Sequence, residues 1–426
     1  MEKQNRYRFV IAALVILVRI CVGVVWASAG PLLLLMMQEY GIGRGTVSWY
    51  VSSVPIIMAV LTVPIGIVGA RFGLKKMFAV GAFLQAAGIL APFCTSYPIL
   101  FLTRVSFAVG TAITVPMASA IAADWFTARE LPLVNGVIMS FVNLGNAFSY
   151  VATIPIATVL SWKAPITIYG AFALTCATAW VIFGKERRKE IAAIPDTSTD
   201  KPASNPSTQE RKTPELSIKQ ALLQKSTLIF AFTLLGPFCC SNALTSWLPS
   251  YYNEVFKMPL AKASSITSIF TITGTIACII GGILPMRVGR RKPFLIIPGI
   301  FMGILALSTI TFNNDFIIYA SVALFGIFNN IQAPTIFTIP MELPNMTPRT
   351  GSIVLAFTLG IGNLGGFMGP LIVGYLTDFT GSYIPGFVIT AVMSLSLLLG
   401  GLLLPETGPK ARNPILKKAT TPAMAK

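Results

Sequence analysis

Histidine is absent from this chain, and acidic residues are scarce: its 426 residues include 15 Asp and Glu against 32 Lys and Arg. Without histidine the sequence lacks the commonest catalytic base and metal ligand. Charged residues together make up 11% of the chain and hydrophobic residues 54%, whereas a soluble domain carries about 25% charged residues. This composition excludes an ordinary soluble protein and predicts a membrane protein.

Long apolar runs predict the membrane spans, because about 20 apolar residues in a helix cross a bilayer. The sequence contains twelve such runs, six on each side of one polar linker: 8–29, 46–68, 77–96, 98–122, 133–158, 164–184, 227–249, 263–285, 293–311, 315–338, 350–374 and 383–405. We therefore predict an all-α membrane protein with twelve transmembrane helices in two six-helix bundles. The predicted divisions are bundles over 1–184 and 227–405, a linker over 185–226 and a tail over 406–426.

The basic residues predict the orientation, since Lys and Arg concentrate in cytoplasmic loops. With both termini in the cytoplasm, 26 of the 32 basic residues lie in cytoplasmic segments, and the four outside are Arg44, Lys163, Lys257 and Lys262. The net charge of +17 then faces anionic lipid and does not indicate a protein that binds nucleic acid. We expect a multi-pass protein of the inner (plasma) membrane, monomeric and without a cofactor.

The linker changes composition abruptly. Its middle is too polar to fold, while TPELSIKQALL over 213–223 starts with Thr213 as a helix cap and Pro214 in the first turn. We expect a disordered loop followed by a short helix on the cytoplasmic surface.

The two halves repeat each other. GIVGARFGLKK at 66–76 follows the second span and GILPMRVGRRK at 282–292 follows the eighth, with Arg71 and Arg287 in equivalent places 216 residues apart. A second echo is NLGN at 143–146 against NLGG at 363–366. An internal repeat of this length indicates that the halves share one architecture.

These loops, together with RVSFAVG at 104–110 in the fourth span, resemble the major facilitator superfamily over essentially the whole chain. The family's loop pattern is roughly G-x-x-x-D-R-x-G-R-R, and this sequence departs from it with Ala70 in place of the acid. Short strings are similar to the cyanate permease branch: GPLLLLM at 30–36, SWLPSYY at 246–252, MELP at 341–344 and DFTGSY at 378–383. The resemblance implies alternating access around a midplane site that spans 1, 4, 7 and 10 surround.

Two arginines lie within predicted spans, Arg19 and Arg104. A central intramembrane Arg costs at least about 2.5 to 3.5 kcal/mol, and such residues mark cavities or pathways. No acidic residue lies at the middle of a span, so neither arginine has an obvious carboxylate partner. We expect Arg19 to hold an anion through its planar guanidinium fork. Arg104 has an alternative, a structural role with its guanidinium bonded to carbonyls at a helix crossing.

The other candidate site residues are polar or aromatic side chains within the spans. Gly23 and Trp26 share a helical stripe with Arg19, and Gly23 either leaves room beside the guanidinium or marks close helix packing. Intramembrane amides also link helices, and tryptophans also serve as packing anchors. With these alternatives open, the predicted substrate-binding residues are Arg19, Trp26, Arg104, Asn143, Asn146, Asn242, Trp247, Asn329 and Gln332.

The unpaired arginines favour a secondary transporter for a small anion, monocarboxylate or cyanate-like. A drug or lipophilic-compound exporter of the same fold would want an acidic residue in its cavity, and the sequence offers none. A membrane enzyme would need a catalytic cluster, and a non-transporting receptor would bind ligand without flux. Because no Asp, Glu or His is available as an intramembrane proton site, we expect facilitated movement, anion exchange, or symport with a proton carried on the substrate.

A cytoplasmic gate is the last prediction from sequence. Two related ion pairs are expected to brace the bundles when the inner side is closed: Arg71 with Asp124, for which Glu130 is the alternative partner, and Arg287 with Glu342. Because Ala70 replaces the family's acid, the inward-open state should be more populated.

Overall fold

The computed structural model describes residues 2–127, 130–185, 218–343, 346 and 348–408. Within these residues the chain forms α-helices, one 3-10 helix and no strand. The 3-10 helix covers Ala86–Phe93, and the α-helices are α1 Glu2–Ala27, α2 Ala29–Tyr40, α3 Arg44–Phe72, α4 Leu74–Gln85, α5 Tyr97–Trp125, α6 Leu131–Val159, α7 Ala164–Phe183, α8 Ile218–Leu223, α9 Lys225–Glu254, α10 Leu260–Val288, α11 Pro293–Thr311, α12 Asp315–Ile331, α13 Ala333–Glu342, α14 Pro348–Thr380, α15 Ile384–Ser394 and α16 Ser396–Leu403.

Twelve segments of the described chain are long and apolar enough to cross a membrane, which confirms the predicted number and order of spans. Three spans consist of two consecutive helices: α4 with the 3-10 helix, α12 with α13, and α15 with α16. We call the end that carries Arg44 the outer end, because the charge distribution predicts that it is extracellular, and the opposite end the inner end.

The chain remains helical beyond the predicted end of the first span. Its helix breaks at Ser28 and continues as α2 to Tyr40, although the prediction ended this span at residue 29. Pro31 has no amide proton for the Ala27 carbonyl, so the regular hydrogen bonding of the helix is interrupted there. Beyond the break Leu32 is fully buried, and it belongs to the same apolar cluster as residues of α9. Helix α2 thus packs inside the protein.

The tenth span has a similar break, at Gln332 between α12 and α13. Pro334 follows in the first turn of α13, a position that tolerates proline because the first amides of a helix have no intrahelical partner. The linker contributes α8, which falls within the predicted short surface helix. Its predicted cap, Thr213 with Pro214, and the predicted disordered loop lie outside the described residues.

Helices α1 and α6 cross in close contact through two glycines. A Cβ atom on Gly23 would lie 2.2 Å from the carbonyl oxygen of Val142, and one on Gly145 would lie 2.6 Å from that of Ile20. Neither carbonyl can move without shifting a whole helix. Of the two roles open to Gly23, the structure therefore supports close helix packing.

This crossing gives a direct prediction. Gly23→Val is expected to destabilise the purified protein by several kcal/mol, since the new side chain overlaps backbone of α6. Thermal unfolding in detergent would measure the loss. Gly136→Ala on the same α6 is the matched control, because a Cβ there meets nothing within 4 Å. Equal unfolding temperatures for the two variants would contradict the crossing.

Candidate functional site

Arg19 lies on α1 with only 4% of its surface exposed. Its Nε and Nη1 atoms are buried and have no hydrogen-bond partner in the part of the chain that the structure describes. Guanidinium groups inside proteins are normally paired, since burying an unpaired charge is expensive. Arg19 therefore presents unused donors that a bound anion could occupy.

The crossing of α1 with α6 brings the amides of the fifth span to the same region. Gly23 follows Arg19 by one helical turn, and a Cβ on Gly23 would lie 3.0 Å from the backbone nitrogen of Asn146. Side chains on a helix lean toward its N-terminus, which carries the Asn146 side chain toward the level of Arg19. The Oδ1 atom of Asn146 is buried without a partner, and Asn143 is half-buried three residues earlier. Polar atoms of two helices thus remain unused around one crossing.

Arg104 is buried like Arg19 but fully engaged. Its Nε donates to the Tyr50 carbonyl at 3.1 Å, Nη1 to the Val25 carbonyl at 2.7 Å and Nη2 to the Trp26 carbonyl at 3.1 Å. The guanidinium also lies 5.1 Å from the ring of Tyr50 and 5.0 Å from that of Phe107. Arg104 therefore holds the end of α1 against α3, just before the break at Ser28, and this is the structural role that the sequence left open.

The two predicted tryptophans occupy different environments. Trp26 is half-buried at the end of α1, near the Arg104 guanidinium that its carbonyl binds. Trp247 is fully buried, donates from Nε1 to the Pro370 carbonyl at 3.0 Å and packs 5.7 Å from the Tyr383 ring. In this conformation the Trp247 side chain connects α9 to α14, and its role as a substrate ligand stays a prediction.

In the C-terminal half, Asn242 lies where the halves meet. It is half-buried, and a Cβ on Gly366 would lie 3.0 Å from its Nδ2 and 3.4 Å from Pro55 of the other half. Its own Nδ2 donates to the Phe238 carbonyl one turn earlier, at 2.9 Å.

Gln332 turns away from that interface. It is 2% exposed, and its Nε2 points to the Met302 sulfur at 3.8 Å and to the Asn329 carbonyl at 3.3 Å. Because Met302 belongs to the ninth span, the Gln332 amide nitrogen faces the interior of the C-terminal half. Its Oε1 atom is buried without a partner among the described residues, and its role as a substrate ligand stays a prediction. Asn329 itself is half-buried on α12.

The cytoplasmic ion pairs expected when the inner side is closed stay a prediction, and in this structure Glu342 has another partner. Glu342 pairs with Arg291 at 2.8 Å, while the predicted partner Arg287 is exposed. The two arginines are four residues apart, and Arg291 lies in the turn between α10 and α11. That turn brings Arg291, and not Arg287, to the acid.

In the N-terminal half the side chains of Ala70 and Arg71 lie outside what the structure describes. Asp124 is half-buried at the inner end of α5, in a small pocket that Lys75 and Lys185 also line. Glu130, the alternative partner for Arg71, instead pairs with Arg8 at 3.0 Å. The amide and hydroxyl of Thr127, followed by Arg8, lower the pKa of the Glu130 carboxyl, so it stays ionised.

Sequence reasoning missed a charged cluster at the outer end. Arg44 at the start of α3 pairs with Glu254 at 2.9 Å and lies 3.8 Å from Asp378. Its Nε donates to the Tyr383 hydroxyl at 3.0 Å. Two of these partners belong to the string DFTGSY, which the sequence analysis used only as a family signature. That string and Arg44, one of the few basic residues predicted outside, were the features of the sequence that could have indicated this cluster.

Comparison with known proteins agrees with this architecture. A chain from Cupriavidus necator named "Probable sulfoacetate transporter SauU" is 21% identical over 373 residues, which cover 84% of this chain and 85% of the relative. "Probable nitrate transporter NarT" of Staphylococcus carnosus is 24% identical and covers 88% of this chain and 90% of the relative. The crystal structure of a bacterial homologue of the human lysosomal transporter Spinster, titled inward-facing and occupied, aligns with a TM-score of 0.70 at 14% identity, over 98% of this chain and 99% of that chain.

The description "Major Facilitator Superfamily" belongs to a family model that matches residues 15–363 and 263–426, nearly the whole length of the sequence. The two matched ranges, the twelve apolar spans and the full-length structural alignment agree with one another. This chain is a multi-pass membrane protein that belongs to the Major Facilitator Superfamily.

Proposed function

We propose that this protein is a secondary transporter that moves a small anion across the membrane by alternating access, with Arg19 as the residue that binds the anion's charge. The observation that carries the proposal is the state of the Arg19 side chain, which is 4% exposed with Nε and Nη1 unpartnered. A buried cation without a fixed counter-charge needs a mobile one. An oxyanion or carboxylate accepts two parallel hydrogen bonds from a guanidinium, which suits this geometry.

The contrast between the two intramembrane arginines supports the assignment. Each guanidinium nitrogen of Arg104 donates to a backbone carbonyl, whereas Nε and Nη1 of Arg19 have no partner among the described residues. Asn146, whose Oδ1 is also unpartnered, would complete the binding region on the α6 side, with Asn143 beside it. Trp26 and Asn242 would border the same region from α1 and from the opposite half, and Asn329 would face it from α12.

The names of the relatives favour the same substrate class. One is named a probable sulfoacetate transporter and another a probable nitrate transporter, and both substrates are small oxyanions. An exporter of lipophilic cations is the second candidate, but the acids of the described spans lie at helix ends and none lies beside Arg19. We place the protein in the plasma membrane, with both termini in the cytoplasm, as a monomer surrounded by lipid.

A substrate screen tests the proposal. Purified protein in detergent is heated with nitrate, cyanate, acetate and sulfoacetate, each at millimolar concentration, and with a lipophilic cation as comparison. A ligand that binds only the folded state raises the free energy of unfolding, by about 2.7 kcal/mol at 100 times its Kd, and with it the unfolding temperature. We expect at least one anion to stabilise the protein and to exchange across proteoliposome membranes. Stabilisation and flux with the cation alone would reject the anion assignment.

A further inference from the structure

The charged cluster at the outer end joins the two halves of the molecule. Arg44 belongs to the N-terminal half, whereas Glu254, Asp378 and Tyr383 belong to the C-terminal half. The Arg44 Nη2 atom donates to both oxygens of Glu254, at 3.0 and 2.9 Å, and its Nε donates to the Tyr383 hydroxyl at 3.0 Å. Tyr383 in turn donates to Glu254 at 2.6 Å. Arg44, Glu254 and Tyr383 therefore form a closed triangle of charge-assisted hydrogen bonds across the interface.

Asp378 adds a second, independent connection. Its carboxylate accepts the backbone amide of Arg44 at 3.0 Å and that of Gly45 at 2.7 Å. These are the first amides of α3, which have no partner within their own helix, and the positive end of a helix dipole favours a carboxylate. An acid of the eleventh span thus caps a helix of the opposite half. A Cβ on Gly45 would lie 2.4 Å from the Tyr375 ring, so a glycine is required for this approach.

Further contacts across the halves lie just below the cluster. Ser48 donates to the Pro370 carbonyl at 2.9 Å, and Trp49 Nε1 donates to the Tyr375 hydroxyl at 3.2 Å. A Cβ on Gly374 would lie 2.2 Å from the Ser48 hydroxyl. The outer ends of α3 and α14 therefore meet directly, and this structure is closed at its outer end.

We propose that Arg44, Glu254, Asp378 and Tyr383 form an outer latch that holds the outer entrance closed during the transport cycle. The outer entrance can open only if the two halves separate there, and the contacts of Arg44 with Glu254, Asp378 and Tyr383 join one half to the other. The latch charges are 28 to 33% exposed, so they lose part of their hydration when closed and regain it when open. A cavity of about 530 Å³ that Arg44, Glu254 and Tyr383 line allows water to reach them.

Tyr383 links the two charged side chains of the latch, Arg44 and Glu254. Burial, followed by the hydrogen bond to Glu254, raises the pKa of the Tyr383 hydroxyl above its usual value. Tyr383 therefore remains a neutral hydroxyl that accepts from Arg44 and donates to Glu254 at the same time. Its removal as Tyr383→Phe deletes both bonds without adding or removing charge.

Distance measurements between the halves test the latch in the absence of any substrate, so the result does not depend on the anion assignment. Spin labels at Leu160→Cys in the N-terminal half and Phe312→Cys in the C-terminal half report the outer separation, since both positions are exposed near outer helix ends. The protein without these two cysteines corrects for labelling of native thiols. We expect Glu254→Gln and Tyr383→Phe each to raise the ratio of outer-open to outer-closed molecules about fivefold, as a loss of ~1 kcal/mol would.

Lys262→Gln is the matched control. It breaks an outer ion pair of similar chemistry, Lys262 with Asp315 at 2.7 Å, but both residues belong to the C-terminal half. We expect it to leave the distance distribution unchanged. The double variant Glu254→Gln with Tyr383→Phe should shift the ratio less than the product of the single shifts, because the two side chains act together. A distribution that stays closed in Tyr383→Phe, or an equal shift in Lys262→Gln, would overturn the latch.

Discussion

Arg19→Ala is expected to abolish anion binding and transport while leaving the protein at least as stable as the parent. The guanidinium nitrogens Nε and Nη1 are buried without partners among the described residues, so the empty transporter bears the cost of an unsatisfied charge. Removing the side chain relieves that cost but leaves nothing to neutralise the substrate. Arg19→Lys should retain weak binding, because an ammonium keeps the charge but cannot form the bidentate fork.

Uptake into proteoliposomes and ligand-dependent thermal shift measure the two effects separately. We expect transport by the alanine variant to fall at least about 100-fold, which corresponds to the loss of ~3 kcal/mol of binding free energy. Lys219→Ala, an exposed basic residue on α8, is the control and should transport like the parent. Near-normal uptake by a well-folded Arg19→Ala protein would show that the charge of Arg19 does not bind the substrate.

Arg104→Ala is expected to lower the stability of the protein, whereas Arg19→Ala is not. Its guanidinium satisfies the carbonyls of Tyr50, Val25 and Trp26 in a site that is 2% exposed. Truncation removes three charge-assisted hydrogen bonds and also empties a large volume. Each hydrogen bond to a charged group contributes about 1.5 to 3 kcal/mol, so we expect a loss of ~3 kcal/mol or more.

Thermal unfolding of the substrate-free protein in detergent distinguishes the two arginines. Arg104→Ala should unfold at a clearly lower temperature than the parent, and Arg104→Lys should recover only part of the loss, because an ammonium cannot span all three carbonyls. Arg19→Ala should show no such loss. If Arg104→Ala were as stable as the parent and lost only substrate affinity, the structural role assigned to Arg104 would be wrong.

The sequence predicted the spans well and the site only in part. Arg19 was singled out because an intramembrane arginine without an acid is conspicuous in a sequence, and its Nε and Nη1 have no partner in the described part of the chain. Arg104 carried the same signal, yet its carbonyl partners come from α1 and α3, and no residue pattern records which backbone carbonyls a break in a helix exposes. Trp247 and Gln332 had suitable spacing, but their side chains turn toward Pro370 and Met302.

The ion pairs also depend on contacts that the sequence does not predict. The repeat related the loops after the second and eighth spans and predicted a pair of Glu342 with Arg287 for the inner-closed state, whereas in this structure the acid pairs with Arg291. A shift of four residues is invisible to a sequence alignment and decisive for an ion pair, because Coulomb attraction and hydrogen bonding require contact. The same reason explains why Arg44, Glu254 and Asp378 were overlooked, since they are separated by at least 124 residues along the chain.

The sequence by itself determined that this protein crosses the membrane twelve times and that its two halves are related. Both properties follow from apolar length and local repetition, which each segment carries independently of its neighbours and which the bilayer enforces. The tertiary structure alone decided which arginine is satisfied, which glycines bring helices together and which end of the molecule is closed. These properties depend on where helices cross, and crossings are set by packing between segments that are distant in the sequence.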